Sequence, residues 1–312
     1  MKGCWACLCA LTPVLAQAPA RLETTYVYDV NGRSVPAVWT SSRQTAPGES
    51  RTVEHSMSVN GRLAPRQEVV EKVIRDDAGG KVVERTIIPY DPNGNPGPPA
   101  KVRIEELPEA GGKRVIATTW RANINGSFQL SERSVTQVRQ EDGVEKAVTT
   151  VARPALNGAL ETFERSEAEI HKVKDGSRSR LSIFRPDANG RFRELERQEV
   201  ETKSAGAETV SNLNQYRVRG GQLVLDGQTV SRTVKRNGSE TTEVDIYRAD
   251  VPGRPTLPGK PALIERQTIE RSQGEGELRE KVVSRLASPN DPGRLEAPRV
   301  IAEKVCKGNC AP

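Results

Sequence analysis

The sequence predicts an all-β protein, an elongated antiparallel meander of β-hairpin repeats with about 18 strands in a twisted or partly curled sheet. Asn-Gly pairs recur at steps close to 32 residues, other turn dipeptides fall midway between them, and the intervening segments are rich in Val, Ile and Thr. β-Branched residues favour strands, and Asn-Gly or Asp-Gly favours a two-residue hairpin turn whose central residues both need positive φ. Each repeat therefore contributes two strands.

Two series of turn signals alternate along the chain. The first series has Asn-Gly at 31–32, 60–61, 93–94, 125–126, 157–158 and 189–190, and continues with Gly-Gly or Pro-Gly at 220–221, 252–253 and 292–293. The second has Gly-Gly, Asp-Gly, Ala-Gly or Asn-Gly at 79–80, 111–112, 142–143, 175–176, 205–206 and 237–238. Pro-rich insertions at 91–100, 250–262 and 288–298 all fall in the first series. One edge of the meander is therefore expected to carry the longer loops.

The distribution of charged residues between the two faces of a strand predicts the shape of the sheet. With strict alternation over 127–139, Glu132 shares a face with Phe128 and Val138, while Arg133 and Arg139 occupy the other face. An outer-membrane barrel needs one apolar face, so charges on both faces argue against it. We therefore expect an elongated sheet that water wets on both sides, and a closed or two-layer form stays open as an alternative.

The chain divides into three predicted segments: a signal peptide at 1–18, the β-hairpin repeat domain at 19–305 and a cysteine-containing tail at 306–312. A basic start, the apolar run CWACLCALTPVL and the small-x-small sequence Ala16-Gln17-Ala18 are typical of a cleaved export signal. No apolar segment long enough to cross a membrane remains after cleavage. The mature protein is therefore predicted to be exported, to the periplasm, the cell surface or the extracellular space.

Cleavage leaves two cysteines, Cys306 and Cys310. In an exported chain this pair is predicted to form a disulfide that staples the tail, because the loop it closes is too short to stabilise the whole fold. A redox pair or half of a metal site are the alternatives. Redox motifs usually have the CxxC spacing, and the tail offers too few ligands for a metal ion.

Two sets of side chains recur at the repeat spacing. Aromatic residues stand five positions before the main turns, each is followed by Arg, and Glu stands seven positions after a turn. These columns are Trp120, Phe184, Tyr216 and Tyr247, with Ala152 in the series, then Arg121, Arg153, Arg185, Arg217 and Arg248, and Glu132, Glu164 and Glu196. Neighbouring strand residues point to opposite faces, so the aromatics are expected on one face and the arginines on the other.

The spacing of the columns predicts ion pairs between adjacent strands. Glu132 and Arg153 are 21 residues apart, and the same step separates each Glu from the Arg of the next hairpin. A turn centred on 142–143 places residues opposite each other when their numbers sum to 285, as these two do. A Glu–Arg ladder should therefore help to set the strand register.

Candidate chemistry is nearly absent from the sequence. His55 and His171 are far apart, and no GxSxG, HExxH, phosphate-binding loop or dinucleotide motif is present, so no catalytic residue, metal site or cofactor is predicted. The Asp-x-Asn-Gly turns lack the third ligand and spacing of a calcium loop, so their Asp is expected to cap its own turn. A net charge of +6 with only 4% aromatic residues does not favour specific nucleic-acid binding.

The turns at Tyr28-Asp-Val-Asn-Gly and Tyr90-Asp-Pro-Asn-Gly resemble the Tyr-Asp signature of bacterial YD/RHS-type repeats. The resemblance covers two turns, and the period of this chain is longer. It implies a secreted bacterial β-repeat protein.

The function expected from the sequence is that of an exported, non-enzymatic structural or interaction protein, because repeats build long surfaces suited to adhesion, spacing or assembly. The alternative is a periplasmic or surface module that binds polysaccharide or polyanion through its aromatic and Arg columns. The partner is unknown, with a protein or a cell-envelope polymer as the candidates.

Overall fold

The structure is a computed structural model that describes residues 21–28, 34–57, 63–236, 238–250, 261–274, 277–288, 291 and 294–307. The predicted signal peptide at 1–18, the Asn-Gly turns at 31–32 and 60–61, most of the insertion at 250–262 and Cys310 lie outside these residues.

Strands account for all the regular structure of the described residues. Their bounds are β1 (Arg21–Tyr28), β2 (Ser34–Ala46), β3 (Glu49–Met57), β4 (Leu63–Asp77), β5 (Gly80–Pro89), β6 (Ala100–Glu109), β7 (Gly112–Ala122), β8 (Phe128–Glu141), β9 (Val144–Pro154), β10 (Leu160–Val173), β11 (Gly176–Pro186), β12 (Phe192–Ala205), β13 (Glu208–Arg219), β14 (Gln222–Arg236), β15 (Ser239–Arg248), β16 (Ala262–Gly274), β17 (Glu277–Leu286) and β18 (Arg299–Lys307).

The sheet closes on itself. Each strand pairs antiparallel with its neighbours in sequence, and β1 pairs with both β2 and β18. Val27 on β1 lies opposite Ala302 on β18, so no free edge remains. The predicted antiparallel meander of about 18 strands is confirmed, and the closed barrel is a more exact description than the predicted twisted or partly curled sheet.

The two ends of the barrel differ in their turns. At one end, the hairpin end, every connection has two residues, from 47–48 between β2 and β3 to 275–276 between β16 and β17. At the other end, the loop end, the connections reach 90–99, 249–261 and 287–298. The longer loops therefore share one edge, as the sequence predicted. Strand β1 begins and strand β18 ends at the hairpin end.

Two kinds of turn carry the Gly signals. Asp142 and Gly143 both have positive φ, 50° and 79°, as a two-residue hairpin turn requires. The Asn-Gly turn at 125–126 instead lies in a loop over 123–127, where only the glycine has positive φ. The Asn123 side chain accepts hydrogen bonds from the backbone N–H groups of Asn125 and Ser127, at 2.9 and 3.0 Å.

A β-bulge recurs near the loop end of the even-numbered strands. Near this end, the register shifts skip one residue on every even strand except β6: Ala37, Arg66, Ser131, Phe163, Leu195, Asp226, Ile264 and Ile301. Strands β2 and β4 skip a second residue near the hairpin end, Thr45 and Ile74. Bulges bend a strand and increase its twist, which a sheet needs in order to close. Their regular spacing therefore explains why this meander forms a barrel.

The bulges also correct the assignment of faces made from strict alternation. On β8, Leu130 lies opposite Trp120 and Glu132 lies opposite Thr119, so Leu130 and Glu132 point to opposite faces. On β12, Glu194 and Arg197 form an ion pair at 2.7 Å although they are three residues apart. Three residues in a regular strand would put them on opposite faces. We call the face that carries Trp120 the aromatic face and the face that carries Arg121 the ladder face.

The residues that the structure describes form no central core inside the barrel. Strands make substantial contacts only with their neighbours around the wall, apart from minor contacts of β2 with β4 and of β12 with β14. The buried side chains among the described residues are few and scattered: Val82, Val83, Cys306, Glu68, Ser182 and Ser284. Barrels of about 16–18 strands are wide enough to leave their interior open. The fold is therefore a single-layered, hollow wall.

Alanine substitutions at two glycines, Gly112 and Gly126, should destabilise the fold to different extents. A Cβ on Gly112 would lie 1.9 Å from the Val138 carbonyl oxygen of β8, whereas a Cβ on Gly126 meets nothing within 4 Å. Gly126→Ala should cost about 1–2 kcal/mol from its φ of +77° alone. Gly112→Ala should cost more, because β7 must move away from β8. The stabilities of the two variants are compared by the urea midpoint of the β-strand circular dichroism signal. Equal losses of stability would contradict the close approach of Gly112 to the Val138 carbonyl group.

Candidate functional site: the two faces of the barrel wall

The ladder face carries the Glu and Arg columns that the sequence singled out. Arg153 Nη2 lies 2.9 Å from Glu132 Oε2, and Arg185 Nη2 lies 2.9 Å from Glu164 Oε2. The third pair, Arg217 with Glu196, is looser at 3.8 Å. The structure thus brings together all three Glu–Arg pairs. They are largely exposed, so each pair contributes little stability, about 0.2–1 kcal/mol.

The remaining members of the arginine column have other neighbours. Arg121 lies opposite Ala100 and Gln129 and has no ion-pair partner among the described residues. Arg248 donates a hydrogen bond to Gln215 Oε1 at 3.2 Å. The guanidinium of Arg153 also lies over the ring of Phe163, 3.8 Å from its centroid. Phe163 is the bulged residue of β10, so the bulge brings an aromatic ring to the ladder.

Between the ladder and the hairpin end, the ladder face carries a belt of uncharged side chains. From β7 to β15 each strand contributes three residues, and none is charged. The neutral belt consists of Val115, Ala117, Thr119, Ser134, Thr136, Val138, Ala147, Thr149, Val151, Ser166, Ala168, Ile170, Ser179, Leu181, Ile183, Gln198, Val200, Thr202, Ser211, Leu213, Gln215, Thr229, Ser231, Thr233, Thr242, Val244 and Ile246.

Several hydroxyl groups of the neutral belt bond to each other across strands. Thr136 and Thr149 are joined at 2.8 Å, and Thr233 and Thr242 at 2.9 Å. Mutual pairing lowers the cost of removing these groups from water. Beyond β7–β15, the ion pairs Glu71–Arg85, Arg271–Glu280 and Glu23–Lys304 interrupt the face.

The aromatic face holds Trp120, Phe184, Tyr216 and Tyr247, each pointing away from the arginine that follows it. The cross-strand neighbours of the first three are basic: Lys101 faces Trp120, Arg165 faces Phe184 and Arg197 faces Tyr216. In the same series Arg133 faces Ala152, and Gln228 faces Tyr247. We call Lys101, Arg133, Arg165 and Arg197, together with the aromatic residues, the basic–aromatic girdle.

The basic members of the girdle were not among the residues predicted from the sequence, although they recur at 101, 133, 165 and 197, at the 32-residue step. These basic residues differ in whether a carboxylate neutralises their charge. Arg165 lies 2.6 Å from Glu167, and Arg197 lies between Glu194 and Glu199, at 2.7 and 3.9 Å. Lys101 and Arg133 have no carboxylate partner in the described part of the chain, so they leave net positive charge on this face.

The remaining candidate residues do not form a reactive site. His55 contacts Trp39 on the aromatic face, with ring centroids 4.6 Å apart and ring planes tilted by 51°, and His171 is exposed on β10. Cys306 is buried within β18, and its predicted bridge to Cys310 stays a prediction because Cys310 lies outside the described residues. The described ranges contain no cluster of three metal-binding side chains. They also contain no helix that is long and apolar enough to span a membrane.

The Asp residues of the loop-end turns cap those turns, as the sequence predicted. Asp91 Oδ1 accepts hydrogen bonds from the backbone N–H groups of Asn93 and Asn95, at 2.9 and 2.8 Å. Asp187 Oδ1 accepts them from Asn189 and Arg191, at 2.8 and 3.1 Å. The Asn95 side chain and backbone lower the pKa of Asp91, and the backbone N–H groups of Arg191 and Asn189 lower that of Asp187.

The fold and the two faces define a hollow, closed antiparallel barrel of 18 strands whose wall carries a neutral belt on one side and charged and aromatic residues on the other. No protein-family model matches the chain, and no curated protein matches it. Among solved structures, it is similar to a mutant of the porin of Rh. blastica, with a TM-score of 0.51, 10% identity, and coverage of 93% of this chain and 98% of the porin. It is also similar to Pseudomonas aeruginosa OccK1 (OpdK), with a TM-score of 0.50, 9% identity, and coverage of 92% and 96%.

At this level of identity the likeness establishes a shared fold. It nevertheless overturns the function expected from the sequence. A structural or interaction scaffold and a module for polysaccharide or polyanion were both inferred from an extended sheet, whereas the sheet closes into a barrel whose fold is similar to these structures. The prediction of an exported protein of the cell envelope is compatible with this fold.

The capping of Asp91 should give stability a defined pH dependence. A lowered pKa in the folded state stabilises the fold above the unfolded-state value, near 3.9, and this contribution is lost as pH falls through the folded-state pKa. Asp91→Asn removes the charge but keeps a side-chain oxygen that can accept the hydrogen bonds of the turn. Asn123 is the equivalent residue in the loop over 123–127, where its side-chain oxygen accepts such hydrogen bonds. The variant should be less stable at pH 7 and should converge with the parent near pH 2. Urea midpoints measured from pH 7 to pH 2 decide this, and a constant gap would contradict it.

Proposed function

We propose that the chain is an outer-membrane channel, and not an enzyme, with the ladder face toward lipid and the aromatic face lining a water-filled passage for small hydrophilic solutes. The observation that carries the proposal is the neutral belt, because transmembrane barrels have an uncharged outer band and a polar interior. Only the ladder face offers such a band. On the aromatic face, charged residues such as Arg133, Arg139 and Lys146 lie at the level of the belt.

The height of the neutral belt supports this orientation. Glu132 bounds it toward the loop end, and Glu145, opposite Gln140, bounds it toward the hairpin end. The eight steps from Glu132 to Gln140, at about 3.4 Å each on strands tilted by about 40°, correspond to a height of about 20 Å. The apolar band of outer-membrane barrels is about 25 Å tall.

The two ends of the barrel support the same proposal. Outer-membrane barrels have short periplasmic turns and longer extracellular loops. The two-residue turns of the hairpin end would then face the periplasm, and the longer loop at 90–99 would face outward.

The ion pairs on the ladder face oppose lipid exposure and make the proposal testable. A lone Arg at the bilayer midplane costs about 2–4 kcal/mol. Arg85 on β5 pairs with Glu71 on β4. On the same face, Val69 and Val73 flank Glu71 along β4. Val83 and Ile87 flank Arg85 along β5. This pair therefore places two charges among apolar side chains of the ladder face.

The double variant Glu71→Val/Arg85→Val should therefore insert better into bilayers, with a higher folded fraction in vesicles of dilauroyl phosphatidylcholine. If the ladder face meets water instead, the variant gains an exposed apolar patch and should aggregate. Folded yield in vesicles and solubility without lipid are the measurements. Glu208→Val/Arg232→Val, which removes an ion pair of the aromatic face, is the matched control and should not improve insertion.

Planar-bilayer recordings test the passage itself. The mature protein should give discrete, ohmic conductance steps, with reversal potentials in a KCl gradient that indicate a preference for anions, because Lys101 and Arg133 are not neutralised. Lys101→Glu/Arg133→Glu should shift the reversal potential toward cation preference. Arg121→Glu, on the other face, should leave it unchanged. A protein that stays in the soluble fraction and gives no steps would refute the channel.

A further inference from the structure

We propose that a recess at the hairpin end of the ladder face, between β14 and β17, binds the phosphodiester headgroup of an anionic phospholipid. The recess has a volume of about 630 Å³, within the usual range for small-molecule sites. From the ladder face it is lined by Lys235, Glu240, Arg271 and Leu278. The proposal rests on the proposed function, because it takes this face to meet lipid.

Cations outnumber carboxylates in and around the recess. Lys235, Arg236 and Arg271 line it together with one carboxylate, that of Glu240. Lys235 Nζ lies 3.2 Å from Glu240 Oε2, and Arg271 Nη1 lies 3.7 Å from Glu240 Oε1. Arg271 also pairs with Glu280, at 2.6 Å. Three cations against these two carboxylates leave one positive unit, which a single phosphodiester neutralises through charge-assisted hydrogen bonds.

Uncharged side chains border the recess toward the loop end. Two residues along each strand from the charged row, Thr233, Thr242, Ile269 and Val282 lie opposite one another on β14 to β17. Thr233 and Thr242 belong to the neutral belt, and their hydroxyl groups bond to each other. Acyl chains can therefore lie along this row while the headgroup meets the cations at the level where the hydrocarbon ends.

The repeat supplies three equivalent hairpins for comparison. Each equivalent place consists of one residue from each strand of the hairpin and one from the strand that follows. In the three preceding hairpins these residues are Ser204, Thr209 and Thr233; Lys172, Ser177 and Thr202; and Gln140, Glu145 and Ile170. None of these three places combines two cations, so the comparison singles out the recess at Lys235, Glu240 and Arg271.

The charge of the recess also selects among headgroups. Phosphatidylglycerol brings one negative charge, whereas phosphatidylcholine has no net charge and adds a cation that Lys235 and Arg271 repel. Free phosphate has the negative charge, but it has no acyl chains to bury against the uncharged row.

The test is native mass spectrometry of the mature protein, inserted into mixed vesicles of dilauroyl phosphatidylcholine and dilauroyl phosphatidylglycerol and then released into mild detergent. The protein should retain phosphatidylglycerol at about fivefold its share of the vesicle lipid, a preference within reach of an open recess. Lys235→Gln should lower this enrichment at least about twofold, and Lys235→Gln/Arg271→Gln should abolish it. Lys235→Arg should preserve it, and millimolar inorganic phosphate should not displace the lipid.

Lys172→Gln is the matched control, because it removes a ladder-face lysine at the position equivalent to Lys235. It should leave the enrichment unchanged. Equal losses in Lys172→Gln and Lys235→Gln, equal retention of the two lipids, or displacement of the lipid by inorganic phosphate would each overturn the proposal.

Conductance steps in planar bilayers distinguish failure of this proposal from failure of the proposed function. A protein that conducts without retaining phosphatidylglycerol refutes the headgroup site alone, whereas a protein that does not insert refutes both. Circular dichroism and conductance establish that every variant is folded.

Discussion

The β-bulge near the loop end of the even-numbered strands is the constraint on which the rest of the structure depends. It recurs with the sequence repeat, at Ser131, Phe163 and Leu195, and each bulge adds bend and twist to its strand. Seventeen hairpin connections curved in the same sense bring β18 back to β1, and closure removes the free edges that an open meander would expose. The same extra residue reverses the alternation beyond it, so it decides which side chains share a face.

The separation of the faces is what gives the barrel wall a functional polarity. Because the bulge at Ser131 moves Leu130 to the aromatic face, Glu132 begins a column on the ladder face that continues with Ser134, Thr136 and Val138. On β7–β15, half of the barrel, the belt on the ladder face is uncharged, while charged residues such as Arg133 and Arg139 lie at the same level on the other face. A wall with this division can face a hydrocarbon layer on one side and water on the other. The ion pair Glu71–Arg85 also lies on the ladder face, where burial of its charges in hydrocarbon would be costly.

Many residues of the candidate site can be predicted from the spacing of the sequence repeat. The aromatic column, the arginines on the opposite face and the Glu–Arg pairs at a separation of 21 residues could all be derived from turn positions and register, because a two-residue turn at 142–143 determines which residues lie opposite each other. The basic residues opposite the aromatics could have been found from the same period. The sequence could not show which of these basic residues have a carboxylate partner. That depends on the bulge that brings Glu194 to the same face as Arg197, and on side-chain positions around Lys101.

The sequence by itself determined the number of strands, their antiparallel order, the two-residue turns at one end and the longer loops at the other, because these follow from local turn chemistry and the period of the repeat. It did not determine closure, the neutral belt or the open interior. Strict alternation over 127–139, read without the bulge, put Glu132 on the same face as Phe128 and so gave charges on both faces of that strand. A bulge has no distinct residue signature in this chain, since Ser, Phe, Leu and Asp all occupy it. Only the pairing of each strand with both of its neighbours decides where the extra residue falls, and hence which face meets the interior of the barrel.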